Sequence, residues 1–223
     1  MDIFYTIVNF FVQGGAFMYP ILVVAAVGAA IAVERYVTLK RTGARNRAAW
    51  AQVEPLLMRG EFEKAREMTS KGETTIARLL SIGLALQGTV RRRDDVEKAM
   101  EESMMESIPQ LQKRTHYLAT FANLATLLGL LGTVSGLIHA FAAVATVNPA
   151  EKANLLSASI SEAMNCTAFG LVTAVPLLFL HALLQTKTTE LIDGIETASV
   201  KFLNALAARS HARASVLELA KAS

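Results

Sequence analysis

The chain has 223 residues, 52% of them hydrophobic and 18% charged, with a formal net charge of +3. A charge this small, with no basic stripe carrying interleaved aromatics, gives no argument for a nucleic-acid binder; the apolar composition favours a membrane protein. Cys166 is the one cysteine, which excludes a disulfide framework or a Cys-rich metal site, and no phosphate loop, zinc motif or nucleophile elbow marks an enzyme or calls for a cofactor.

In chain order, residues 1–13 put Phe4, Ile7 and Phe11 on one broad face, with Ile3 and Phe10 nearby. That pattern predicts a short amphipathic helix lying in the membrane interface. A cleaved signal peptide fits less well, since no basic stretch precedes the apolar run. Gly14-Gly15 breaks this helix and opens the first membrane-spanning segment, residues 14–39, in which Ala16–Leu39 is the apolar run. Tyr19-Pro20 stand near its start, where proline is tolerated in a first helical turn. Glu34-Arg35 can snorkel to the headgroups near the other end, and Lys40-Arg41 mark the exit.

Residues 40–116 hold 15 Lys/Arg and 11 Asp/Glu, a density suited to a helical cytoplasmic domain. Helices are predicted over 46–58, 61–71, 74–88 and 93–116, punctuated by Gly60, Gly72 and Gly88. Arg91-Arg92-Arg93 followed by Asp94-Asp95 reads as a turn into a helix with an acidic first turn. This last helix is expected to run on into the next span, with Pro109 kinking it or marking a boundary.

Two long apolar runs follow. Tyr117–Val147 contains no Asp, Glu, Lys or Arg, and neither does Ala163–Thr186. Each exceeds the roughly 20 residues needed to cross a hydrocarbon core. In lipid the backbone must bond to itself, so both read as transmembrane helices, over 117–147 and 162–186, joined by an external link over 148–161. Residues 187–223 continue as a cytoplasmic amphipathic helix with Leu191, Ile195, Ala198, Phe202 and Leu206 on one side, able to pack beside the first soluble helices. Basic residues concentrate in 40–116 and 187–223, with Lys152 alone in the link. Because they stay on the cytoplasmic side, the fold class is an all-α membrane protein with three spans, amino terminus out and carboxy terminus in.

At helical spacing Ala122, Thr126, Gly129, Thr133, Gly136 and Ala140 share one narrow face of the second span. Ala163, Thr167, Gly170 and Ala174 repeat the pattern on the third, extended by His181. Stripes of small and hydroxyl residues let membrane helices approach closely, so Gly129, Gly136, Gly170 and Ala174 are expected at helix contacts. Two readings of Thr133 and Thr167 stay open on this ground: bonding to their own helix backbone, or lining a pore. Glu162 is either a carboxylate stabilised at a helix N-terminus or a functional acid in a span. His139 could pair with Glu162 across the bundle, and Asn165 and His181 are further candidates for the pore or for pairing.

The run Leu127-Leu128-Gly129-Leu130-Leu131-Gly132-Thr133-Val134-Ser135-Gly136 resembles the MotA/TolQ/ExbB proton-channel family. So do Ile160-Ser161-Glu162-Ala163-Met164-Asn165-Cys166-Thr167-Ala168-Phe169-Gly170-Leu171 with Val172-Thr173-Ala174-Val175-Pro176, and, more weakly, Gly14-Gly15 through Tyr19-Pro20 to Glu34-Arg35. Their order is similar to the three-span TolQ/ExbB branch. Thr126 departs from it, standing where the family usually has proline. The resemblance implies a homopentamer in a bacterial inner membrane. Its second and third helices would surround a central pore holding two copies of an ExbD/TolR-type protein, whose single transmembrane helix carries a proton-bearing Asp. By the same resemblance Thr133 and Thr167 match pore threonines, and Glu162 matches the acid near the outer end of the third helix. Besides copies of itself, that partner and membrane lipid, no other partner is implied. A non-conducting scaffold around a partner helix is the rival reading.

Overall fold

A computed structural model describes residues 14–87 and 93–222, with side chains as far as Arg209. The interfacial helix expected over 1–13, and Arg91-Arg92, lie outside the described residues. Among the described residues six helices follow one another: α1 (Met18–Met58), α2 (Phe62–Ser70), α3 (Thr75–Leu86), α4 (Arg93–Gln112), α5 (Thr115–Val144) and α6 (Lys152–Ala222). Among the described residues α1, the α4–α5 stretch and α6 contain segments long and apolar enough to cross a membrane.

Three element boundaries differ from the sequence expectations. First, α1 is one helix of 41 residues, so no separate helix begins at residue 46. Gly43 does not end it. A Cβ there would stand 2.9 Å from Leu191 Cδ2, so this glycine serves close packing of α1 on α6. The helix stops instead at Gly60, whose φ of 73° suits a residue without Cβ. Gly60 N–H donates to Leu57 O and Glu61 N–H to Leu56 O, the paired bonds of a Schellman ending.

Second, α4 does not run on into α5. Pro109 lies inside α4, and the chain breaks five residues later, at Arg114, with a φ of 66°. A non-glycine residue in that region is uncommon. The Arg114 guanidinium meets Glu34 at 3.1 Å, a contact that ties the start of α5 to α1. Arg35, beside Glu34, is buried. Third, α6 begins at Lys152, ten residues before Glu162, so most of the link expected over 148–161 is helical.

The chain divides into two compact units, residues 1–36 with 114–184 and residues 37–113 with 185–223. The first contains the apolar runs. The second is a water-soluble type of core in which α2 packs on α3 and α3 on α4. Thr74 caps α3, its hydroxyl accepting from Ala77 N–H at 3.2 Å. Val53, Leu57, Phe62, Leu79, Leu80, Leu84, Val96 and Met100 form the core with Ile195, Ala198, Phe202 and Leu203 of α6. The amphipathic face read from residues 187–223 is therefore a core wall. Phe202 sits at its centre, fully buried, and a Cβ on Gly83 would stand 2.5 Å from its ring.

Truncating that ring leaves a cavity which the surrounding helices fill only in part. Phe202→Ala is expected to destabilise the second unit by about 3–5 kcal/mol. Met105→Ala, at a largely exposed side chain, should change stability little. Thermal unfolding of the two full-length variants, read by circular dichroism in detergent, checks the contrast.

Candidate functional site

Within the first unit α5 and α6 meet backbone to backbone. A Cβ on Gly129 would stand 3.2 Å from Thr167 Cα and 3.4 Å from Gly170 Cα; one on Gly170 would stand 2.7 Å from Ala125 O. No side chain fits between these two glycines. One turn on, Gly132 faces Cys166, and about two turns on a Cβ at Gly136 would lie 2.9 Å from Ala163 Cβ. Ala174 is buried lower on α6. Lipid tails are as apolar as the helices themselves, so dispersion and polar contacts across this seam must hold the pair together.

The buried arc of α5 is Ala122, Ala125, Gly129, Gly132, Gly136 and Ala140, of which Gly136 retains some exposure. Ala125 and Gly132 take the places that the sequence pattern assigned to Thr126 and Thr133. At 100° per residue both sets span an arc of about 80°, displaced from each other by only about 40°. Helical projection alone does not choose between them. The packing does: Gly132 fits against Cys166 and Phe17, where threonine would not.

The hydroxyls of Thr126 and Thr133 bond their own helix. Thr126 Oγ1 donates to Ala122 O at 3.1 Å and Thr133 Oγ1 to Leu130 O at 2.6 Å. Thr167 behaves otherwise. Its Oγ1 donates across the seam to Gly129 O at 2.9 Å. That carbonyl gains a second partner because the glycine lets α6 come within reach. Neither Thr133 nor Thr167 has its hydroxyl proton free, so each offers an outside group only lone pairs.

The other candidates fall at the two ends of the pair. Glu162 is exposed and lies against Gly15, whose φ is 75° and where a Cβ would collide with the carboxylate. Gly15 is thus required both by backbone conformation and by close approach, a role that its reading as a helix breaker missed. Glu162 lines a cavity of about 280 Å³ with Gly14, Gly15, Ser135, His139 and Ser159. His139 shares this cavity with Glu162, yet among the described residues no ion pair joins them. The imidazole Nδ1 instead lies 2.8 Å from Ser135 O, one turn back. A carbonyl can only accept, so Nδ1 carries a proton, and in the neutral imidazole Nε2 is the acceptor.

At the far end His181 Nδ1 lies 2.9 Å from Thr115 O, joining α6 to the first turn of α5. His181 is thereby a clasp between helices in this chain. Asn165 is half-buried on α6 and does not line the cavity. Cys166 is buried in the seam. Among the described residues no group of three or more His, Cys, Asp or Glu is placed to hold a metal ion.

Residues 68–197, more than half of the chain, match the model of the MotA/TolQ/ExbB proton channel family. The chain belongs to that family. It is 27% identical over 202 residues to a putative biopolymer transport protein ExbB homolog of Methanothermobacter thermautotrophicus, covering 88% of this chain and 69% of that protein. An ExbB-like biopolymer transport protein of Synechocystis is 28% identical over 82% of this chain and 72% of its own length. The Tol-Pal system protein TolQ of Haemophilus influenzae is 36% identical, over 41% of this chain and 36% of its own. As a MotA/TolQ/ExbB member with three long apolar helices, the chain is a multi-pass membrane protein of channel type.

Gly170→Leu drives a side chain into the Ala125 carbonyl and should abolish the stable α5–α6 pair. Gly194→Ala, in the middle of α6 with open space around it, is expected to raise stability by about 1 kcal/mol through helix propensity. Melting temperatures of the two purified variants test whether the seam rather than glycine content is what matters.

Proposed function

We propose that this chain is the channel subunit of an ion-driven motor in a bacterial inner membrane, working with a partner that has one transmembrane helix. The observation that carries the reading is the placement of acid. Between Tyr117 and Thr186 the carboxylates are Glu151, in the link before α6, and Glu162, at the cavity beside Gly15. The runs on α5 and α6, free of Asp, Glu, Lys and Arg, therefore offer no carboxylate in mid-membrane. Family membership calls for proton passage, so the acid that crosses belongs to another chain, an Asp on the ExbD/TolR-type helix. Each elementary charge moved gains about 2.3 kcal/mol per 100 mV of membrane potential.

Five copies enclosing a lumen, with two partner helices inside, would turn the exposed edges of the α5–α6 seam toward the guest. Thr133 and Thr167 flank the seam with lone pairs outward, which suits a protonated Asp as hydrogen-bond donor and disfavours the ionised one. The pair would thus accept the acid in its neutral form and release it toward water. Glu162, wetted at the outer mouth, would hand protons to that path, with His139 Nε2 as a second acceptor in the same cavity. The concentration of Lys and Arg in residues 40–116 and 187–223 supports an amino terminus outside and a carboxy terminus inside.

The bond from Thr167 to Gly129 favours one rival, a scaffold in which the threonines only hold helices together. Proton flux into vesicles decides between them. The chain alone should conduct little, and co-reconstitution with the single-span partner should open a path that its Asp→Asn variant closes. Robust flux without partner sinks the motor reading. Thr167→Ser should keep partner-dependent flux. Thr167→Val, which loses both the seam bond and the lone pairs, should lower it about tenfold or more, the loss of a hydrogen bond to a charged or acid group. Glu162→Gln, on an exposed side chain, should reduce flux without changing the melting temperature.

A further inference from the structure

In the second unit a cavity of about 390 Å³ opens between α1 and α6, and none of the residues discussed as an ion path belongs to it. Its α1 wall carries Leu39, Lys40, Gly43, Asn46, Arg47 and Trp50; its α6 wall carries Lys187, Glu190, Leu191, Gly194, Thr197 and Ala198. The volume falls within the range of small-ligand sites. The space is real at Gly194, where a Cβ would meet nothing within 4 Å.

Two features point to a ligand. Asn46 is only 3% exposed, yet neither its Nδ2 nor its Oδ1 has a hydrogen-bond partner among the described residues. Buried amides are nearly always satisfied, and this one lacks both an acceptor and a donor. The charges around it are unbalanced as well. Lys40, Arg47 and Lys187 surround the cavity against one carboxylate, Glu190, and among the described residues neither Arg47 nor Lys187 forms an ion pair. An occupant suited to these walls carries a phosphate for the cations and Asn46 Nδ2, together with a hydroxyl that donates to Glu190 and Asn46 Oδ1.

The position along the chain narrows the source. Lys187 is the first charge after the apolar run of α6, and Lys40 follows Glu34-Arg35 at the exit of the first span, the level at which lipid headgroups stand. Leu39, Leu191 and the amphipathic ring of Trp50 offer an apolar lining beside them. We propose that this cavity binds an anionic phosphodiester bearing free hydroxyls, of the kind found on glycerol-headed phospholipids or as soluble glycerol phosphodiesters. Arg47 and Lys187 hold the phosphate, Asn46 bridges phosphate and hydroxyl, and Glu190 selects the hydroxyl-bearing headgroup. Which leaflet supplies a lipid follows from the charge-based orientation above; the site itself does not depend on the motor reading.

Native mass spectrometry of the purified full-length protein, after exchange with a phosphatidylglycerol or with a phosphatidylcholine, tests this, with soluble glycerophosphoglycerol as a separate arm. Retention of phosphatidylglycerol over phosphatidylcholine is expected. Lys187→Gln and Arg47→Gln, both at exposed side chains, should each weaken it about tenfold, as for one lost charge-assisted contact. Glu190→Gln should narrow the preference between the two lipids. Arg59→Gln, away from the cavity, should leave retention unchanged. Equal binding of glycerophosphoglycerol would support the site and assign it to a soluble ligand. Retention that is the same for both lipids, or untouched by Lys187→Gln and Arg47→Gln, overturns the proposal. Partner-dependent proton flux measured on the same variants separates this outcome from failure of the channel reading.

Discussion

The contact on which this molecule depends is the meeting of Gly129 and Gly170, where α5 and α6 touch through their backbones. In a hydrocarbon medium burial of apolar surface does not drive two helices together, because lipid offers the same surroundings. What remains is the density of atomic contact and any hydrogen bond that the approach permits. The glycines supply the first. Their closeness also supplies the second, since it brings the Thr167 hydroxyl within 2.9 Å of the Gly129 carbonyl. Side chains at either glycine would remove both at once.

The two units are stabilised by different physics. The second has a core of large side chains such as Phe202, Leu80 and Met100, fully withdrawn from solvent, with ion pairs such as Lys201–Glu54 and Lys71–Glu67 on its surface. Water drives that burial. In the Lys71–Glu67 pair the ammonium, by hydrogen bond and charge, holds the glutamate carboxyl below the usual carboxylate range. Such exposed pairs add little to stability. The first unit shows the opposite economy: small residues inside the seam, and large ones such as Leu127, Leu130, Val172 and Phe179 exposed, as a helix pair facing lipid or further copies requires.

That inversion bears on function. A seam closed by glycine is narrow, and it places Thr133 and Thr167 beside it rather than within a cavity of their own. Their hydroxyl protons are committed to backbone carbonyls, so what they present outward is acceptor character alone. Glu162 sits apart from them, about 140° round the helix from Thr167, and belongs to the cavity closed by Gly15.

The sequence by itself determined the class of the molecule. Uncharged runs longer than a bilayer, spacing that collects glycine on one face and motifs shared with proton channels are all local properties, legible without coordinates. The amphipathic face of 187–223 was legible for the same reason, and Ile195, Ala198 and Phe202 are buried in the core. Only the tertiary structure decided the rotation of α5, because arcs differing by about 40° have equal smallness in projection and differ only in what Cys166 and Phe17 leave room for. Gly60 was legible as a helix boundary and a positive φ ends α1 there, but only the structure showed that Gly43 is a contact, packed against Leu191 inside the same helix. The break at Arg114 and the joining of His181 to Thr115 were likewise invisible, because each rests on a partner far away in the chain.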